Sequence, residues 1–383
     1  MDSVVILGTG LAGYTLAREF RKLDKETPLV LITADDGRNY SKPMLSTGFA
    51  KGKDADGLAM QTPEQMAEQL NARILTKTQV ASIDRSEKVV RLEDGSTESY
   101  GKLVLALGAE PVKPSLSGDA VDRVLSVNDL EDYHAFRSCL PEGGRVAILG
   151  AGLIGCEFAN DLVAGGYQVE VVGASKHVMP GLLPSSAASA VQEALTLLGV
   201  SFHLNSVGTS VNQGANGLEV GLAGGDSSSA VQADVVLSAI GLRPRIALAK
   251  DAGLATETGI CVNRTLATSD PDIYALGDCA EVEGLVQLYV MPLMACARSL
   301  AKTLAGEANE VSYGAMPVTV KTPACPVVVA PPLENGGQWQ TEEVEGGLRI
   351  TCTRENDLLG YVLTGTATSE RISLNKRLPA IMP

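Results

Sequence analysis

VVILGTGLAGYTLAREF (residues 4–20) and VAILGAGLIGCEFANDL (residues 146–162) are two copies of one pattern in a single chain. Each is a short β-branched run, then Gly-x-Gly-x-x-Gly, then an amphipathic helical stretch. That order predicts strand, tight turn and helix in both places. Gly8 and Gly150 permit the turn. Gly10 and Gly152 let the backbone approach a pyrophosphate, and Gly13 and Gly155 let helix pack on strand. The helix N-terminus, with free N–H groups and partial positive charge, then faces the phosphates. One such motif is weak evidence. Two, each following a strand and opening a helix, predict two dinucleotide sites.

The halves keep matching further along. Residues 74–108 read as short strands around a Glu-Asp-Gly turn, closing on an apolar strand at 103–107. Residues 200–241 read the same way, with turns at 212–217 and 224–229 and a closing strand at 235–240. Each half is expected to be a βαβ unit with an inserted β-meander. Beyond about Tyr313 the pattern changes. GQWQTEE, GLRITCT and LLGYVLTG predict three antiparallel strands, with a helix near the end. The expected class is α/β: two Rossmann-like dinucleotide-binding domains with β-meanders, plus a small α+β C-terminal domain. The boundaries are expected at 1–111 and 243–313 for the first domain, 112–242 for the second and 314–383 for the third.

Composition excludes several functions. The seven cysteines are scattered without a C-x-x-C pair, which argues against a dithiol centre or zinc site and reads as free thiols in a reducing cytoplasm. His134, His177 and His203 are too dispersed for a metal site. The net charge of −14 disfavours nucleic acid. No apolar run has the length of a membrane span, and Val4 follows Met1 too closely for a signal peptide. A cytoplasmic protein without membrane or nucleic-acid partners is expected.

Such folds place an acid on the ribose about twenty residues beyond the last motif glycine. In the first half Asp35 is the candidate. In the second, the strand at 169–172 runs into Gly173-Ala174-Ser175-Lys176-His177, with no acid. NADH and NADPH both stay open, since Lys176 and His177 suit either a 2′-phosphate or a solvated turn.

The full order of motifs carries a resemblance. It runs Gly-x-Gly-x-x-Gly, LALGA (105–109), Gly-x-Gly-x-x-Gly, SAIGLRPR (238–245) and TSDPDIYALGDCAE (268–281). This resembles the FAD-dependent pyridine-nucleotide oxidoreductases. The resemblance implies FAD on the first motif, NAD(P)H on the second, and an FAD domain split by the NAD domain. It implies FAD contacts at Gly8, Gly10, Leu11, Ala12, Gly13, Asp35, Lys42, Pro43, Ala106, Gly108, Gly277, Asp278 and Lys321, with Asp278 on the ribityl chain. It implies nicotinamide-cofactor contacts at Gly150, Gly152, Ile154, Gly155, Glu157 and Gly241.

Disulfide- and peroxide-reducing members of that family carry a cysteine early in the first domain or a C-x-x-C in the second. Here NYSKPMLSTG (39–48) has Ser46 and Thr47, and the first cysteine is Cys139. The electrons are therefore expected to leave the flavin directly. ITADDGRNYSKPMLSTGFAKGKDADGLAM (32–60), VMPLMACARSLAKTLAG (290–306) and MPVTVKTPACP (316–326) are similar to the ferredoxin- and rubredoxin-reductase branch. That likeness implies rubredoxin or a similar small iron carrier as acceptor. It implies a Lys42–Glu157 pair beside the hydride-accepting nitrogen, and Lys321 near the pyrimidine end of the flavin. These three are the catalytic candidates. A ferredoxin or flavorubredoxin acceptor, or a flavin-based sensor, are the alternatives. Arg371, Lys376 and Arg377 form one basic cluster, read either as a docking face or as a solvated helix end. The short third domain suggests a monomer.

Overall fold

The computed structural model describes residues 3–225 and 230–383, so most of the turn expected at 224–229 lies outside the described residues. Two five-stranded parallel sheets form its frame. The first has the order Ile273–Ala275, Lys102–Leu105, Val4–Leu7, Leu29–Ile32, Arg73–Leu75. The second has the order Val124–Leu125, Val235–Ser238, Arg145–Leu149, Gln168–Gly173, Val200–Leu204. The central strands Val4–Leu7 and Val235–Ser238 are buried at every residue, as parallel strands covered on both faces must be. Strand Ile273–Ala275 follows the whole second unit in sequence yet completes the first sheet.

Helix α1 (Leu11–Leu23) leaves the first sheet and α3 (Leu153–Ala164) leaves the second. Between them lies α2 (Leu130–Cys139), and α4 (Val290–Leu304) packs beside α1. The inserted meanders are three-stranded antiparallel sheets, at Val80–Ser99 and Ser206–Ala233. Both closing strands are shorter than expected, ending at Leu105 and Ser238. The chain crosses between the two units at an antiparallel pair, Ala109–Pro111 with Leu242–Pro244, joined also by a Glu110–Arg243 ion pair at 2.7 Å.

The last sheet has five strands, where three were expected. Val318–Val320 and Val327–Ala330 are the additions. Each is a short run beside a proline, which removes a ladder donor and hides a strand from pattern reading. Trp339 sits on the outer hairpin strand, 40 % exposed. The C-terminal helix is only Arg371–Asn375.

One apolar cluster joins the loop after Lys42 to the second unit and the last sheet. It contains Leu45, Phe49, Phe158, Leu162, Val320 and Ile350. The Phe49 ring makes edge contacts with Tyr133, Phe136 and Tyr167 at centroid distances of 5.4–5.6 Å. The Asp161 carboxylate on α3 accepts the Phe49 and Ala50 N–H groups at 2.9 and 3.0 Å. This clamp fixes the 39–50 segment against α3, which decides what its side chains meet.

Candidate functional site: one cavity, two lysines

The two glycine turns have the same construction. Gly8 and Gly150 both have φ of +117°, a backbone that glycine adopts without strain. A Cβ on Gly8 would lie 2.3 Å from the Ala106 carbonyl oxygen, and one on Gly150 would lie 2.4 Å from that of Ala239. Gly13 and Gly155 are tighter still, each 1.9 Å from the carbonyl oxygen of the first motif glycine. At Gly10 and Gly152, by contrast, a Cβ would meet nothing within 4 Å. Both face open space at the start of helices that carry no side-chain N-cap. The first-turn N–H groups are thus left for an anion, which fits a pyrophosphate at each turn.

A cavity of about 1490 Å³ opens in front of the first turn. Gly8, Gly10, Leu11, Ala12, Asp35, Lys42, Pro43, Ala106, Gly108, Asp278 and Lys321 line it. Ile154 and Glu157 reach it from α3. Gly13 and Gly277 lie behind the wall, Gly150, Gly152 and Gly155 belong to the second turn, and Gly241 accepts the Val112 N–H at 3.0 Å where the chain crosses between the units. A Cβ on Gly277 would lie 2.9 Å from that of Ala12, so this glycine lets the Asp278 turn close on α1.

Asp35 is arranged to present one oxygen. Its Oδ1 accepts from Thr33 Oγ1 at 2.7 Å, the Gly37 N–H at 2.9 Å and Thr9 Oγ1 at 3.2 Å, while Oδ2 makes no such bond. The free oxygen suits a ribose hydroxyl. In the second unit Ser175 holds the matching place. The first motif glycine donates to Ile32 in one unit and to Val172 in the other, both at 2.8 Å, and Asp35 and Ser175 each follow three residues later. Ser238 Oγ is buried without a partner among the described residues, at a strand end beside Leu149. An orphan hydroxyl next to this turn also fits a bound dinucleotide.

The expected Lys42–Glu157 pair does not form. Glu157, 2 % exposed, is paired with Lys321 Nζ instead. Its Oε1 accepts the Lys321 backbone N–H at 2.9 Å, and its Oε2 accepts Ser46 Oγ at 2.7 Å. Lys42 turns away, donating to Asn128 Oδ1 at 2.8 Å. The cause is the Phe49 clamp, which seats Ser46 on α3 and leaves Lys42 on the side of α2. Burial pushes the Lys42 ammonium pKa down, partly offset by Asp278. Burial pushes the Asp278 carboxyl up, and Lys42 counters it. Pattern reading missed Asn128 and the Ser46 contact. The Asn-Asp before α2 signals a helix start, but nothing local ties Asn128 to a lysine 86 residues away.

All seven cysteines are unbridged. Burial pushes Cys156 up to about 12 and Cys279 up to about 11, so neither is a thiolate at neutral pH. Cys279 and Cys325 pack as small apolar groups, at 0 % and 9 % exposure. Among the described residues no group of three His, Cys, Asp or Glu side chains is placed to hold a metal ion, and no helix is long and apolar enough to cross a membrane. A maleimide added to the native protein should label the exposed Cys139, the half-exposed Cys261 more slowly, and none of the five buried cysteines. Labelling of Cys156 or Cys279 without unfolding, read by peptide mass, would refute this thiol-free reading of the site.

These features coincide with a known family. Residues 2–299 match the pyridine nucleotide-disulphide oxidoreductases, and the chain belongs to that family. It is an NAD(P)H-dependent flavoprotein oxidoreductase, with FAD and NADH as its cofactors. Residues 310–378 match the rubredoxin binding C-terminal domain. The chain is 58 % identical over 387 aligned residues to the rubredoxin-NAD(+) reductase of Alcanivorax borkumensis, covering all of both chains. It is 47 % identical to that of Acinetobacter baylyi, covering 100 % of this chain and 99 % of the other. A ferredoxin reductase of Rhodopseudomonas palustris has a similar crystal structure, with a TM-score of 0.88 and 26 % identity, over 99 % of this chain and 96 % of that one.

Proposed function

We propose that the chain carries electrons from NADH through bound FAD to rubredoxin. The observation that carries this reading is the single cavity itself. It unites the first glycine turn, Asp35 and Asp278 with Glu157 and Lys321 from the other two parts of the chain, and no cysteine lines it. FAD bound there supplies a ring that takes a hydride from NADH and returns electrons singly to an iron carrier. The α1 N-terminus binds its pyrophosphate, Asp35 Oδ2 takes ribose hydroxyls and Asp278 takes the ribityl hydroxyls. The α3 N-terminus at Gly152 binds the NADH pyrophosphate. Because α3 also carries Glu157, nucleotide binding and the Glu157–Lys321 pair share one rigid element. The chain's work is to hold distance, orientation and charge.

Steady-state NADH oxidation against purified carriers tests the proposal. Rubredoxin should support rapid, repeated turnover, and ferredoxins much less. Equal rates with ferredoxins would favour the broader reductase reading. Slow turnover with every carrier would favour a sensor.

The carrier is expected to dock against the last sheet's terminal helix. Arg371, Lys376 and Arg377 are exposed there. None makes an ion pair among the described residues, although Arg349 and Glu370 pair close by at 3.0 Å. A local cationic face in a chain of net charge −14 favours an acidic partner at that face. Reversing Arg371 and Lys376 to glutamate should raise the KM for rubredoxin severalfold and flatten its salt dependence, without altering kcat at saturation. An unchanged KM would move the docking face elsewhere. The unit of function in this reading is a monomer, which sedimentation at working concentration checks.

A further inference from the structure

Lys42 is a half-buried cation that meets a neutral partner rather than a carboxylate. Its Nζ donates to Asn128 Oδ1 at 2.8 Å and makes no ion pair among the described residues. The acids beside it are engaged elsewhere. Asp129 caps α2 by accepting the Asp132 N–H at 2.8 Å, and Asp132 accepts the Asn128 N–H at 2.9 Å. Asn128 is 6 % exposed, and its Nδ2 donates to the Ala109 carbonyl at 3.1 Å. The side-chain amide thus bridges Lys42 and the Ala109 carbonyl, while the Asn128 backbone N–H is held by Asp132. Through space Asp278 favours the Lys42 charge most, Asp129 and Asp132 favour it less, and Arg245 opposes it. The other lysine of the site behaves differently, since Lys321 is neutralised by Glu157.

We infer that Asn128 is a positioning residue: it holds the Lys42 ammonium at the cavity wall with a neutral partner, so that no contacting carboxylate cancels the charge that acts on the bound flavin. A neutral acceptor orients an ammonium without cancelling it, whereas a carboxylate at the same place would cancel most of its field. Reduction adds negative charge to the ring, and a fixed cation in a water-poor site stabilises that charge. Fixing the Asn128 amide on both sides, at Ala109 and at Lys42, removes the freedom that would let the lysine swing to Asp278.

The inference rests on the flavin reading, and the two fail differently. Wild-type protein that binds no flavin would end the reading. A flavin-loaded variant whose potential does not move would end only the inference. Asn128→Asp is nearly isosteric and places a carboxylate on Lys42. The midpoint potential of its bound flavin, measured by equilibration against redox dyes, should become more negative. The rate constant of flavin reduction by NADH should fall by about 10- to 100-fold. In a Lys42→Met background Asn128→Ala, which adds no charge, should leave the potential where Lys42→Met alone puts it. Asn128→Ala, which cannot repel the Ala109 carbonyl, serves if the aspartate variant fails to hold flavin. Its lysine is released toward Asp278, and its potential should fall between those of wild type and Asn128→Asp. A wild-type potential in the loaded variants, or an Asn128→Ala shift that persists without Lys42, would overturn the inference.

Discussion

Gly13→Val should give a colourless, destabilised protein, whereas Gly10→Ala should give a fully stable one that holds FAD poorly. The two glycines are three residues apart and do different physical work. A Cβ on Gly13 would sit 1.9 Å from the Gly8 carbonyl oxygen and 3.0 Å from its carbon. Both obstacles are backbone, so the strand–helix turn must open to admit even a methyl group. Forced overpacking of this kind costs about 1–3 kcal/mol and sometimes more. Opening the turn also turns the α1 N–H groups away from the pyrophosphate, so flavin is lost together with stability. A Cβ on Gly10 would meet nothing in the protein. It would occupy the space that the pyrophosphate needs. Denaturant melts of the flavin-free proteins, beside visible absorbance of the loaded ones, separate the cases. Equal melts for Gly13→Val and wild type would show that the close approach does not hold the turn. Undiminished FAD affinity in Gly10→Ala would show that the phosphates do not lie there. Gly155 and Gly152 should repeat the contrast for NADH, since they share the same distances.

Lys321→Met should destabilise the flavin-free protein by about 3 kcal/mol, the lower end for a broken buried ion pair. The lower end applies because the lysine side chain is 28 % exposed, although Glu157 is only 2 % exposed. Without the ammonium, Glu157 keeps the Ser46 hydroxyl and the residue-321 backbone N–H as partners. Those two donors do not cancel a full charge. Flavin reduction by NADH should slow as well, because the carboxylate would then oppose negative charge on the ring. The double variant Lys321→Met/Glu157→Gln separates the two effects. Removing both charges is often neutral for stability, so the melt should recover. The reduction rate should recover only in part, because the cation is still missing. A single variant as stable as wild type would show that solvent screens the pair.

Much of this protein was legible in its residues. Both glycine turns, both parallel units, both meanders and the outer hairpin strands of the last sheet follow from local patterns. Asp35 was a candidate because it sits at a fixed distance from its motif, and the structure leaves one of its oxygens free. The two proline-flanked strands were not found, since their pairing partners and not their own residues make them strands. The same holds for Asn128, whose role comes from a neighbour far along the chain.

Sequence alone determined the two glycine turns that open the parallel units. A positive-φ glycine, a strand of period two and a helix start are local properties, so their meaning survives without knowledge of the rest. Only tertiary structure decided which cation meets Glu157. Two lysines competed for it, and the winner lies 164 residues away, just past a strand of the last sheet. The clamp of Phe49 and Asp161 on α3 put Ser46 on the carboxylate and sent Lys42 to Asn128. Ion pairing depends on angstroms of placement that packing alone supplies, and no spacing along the chain encodes it.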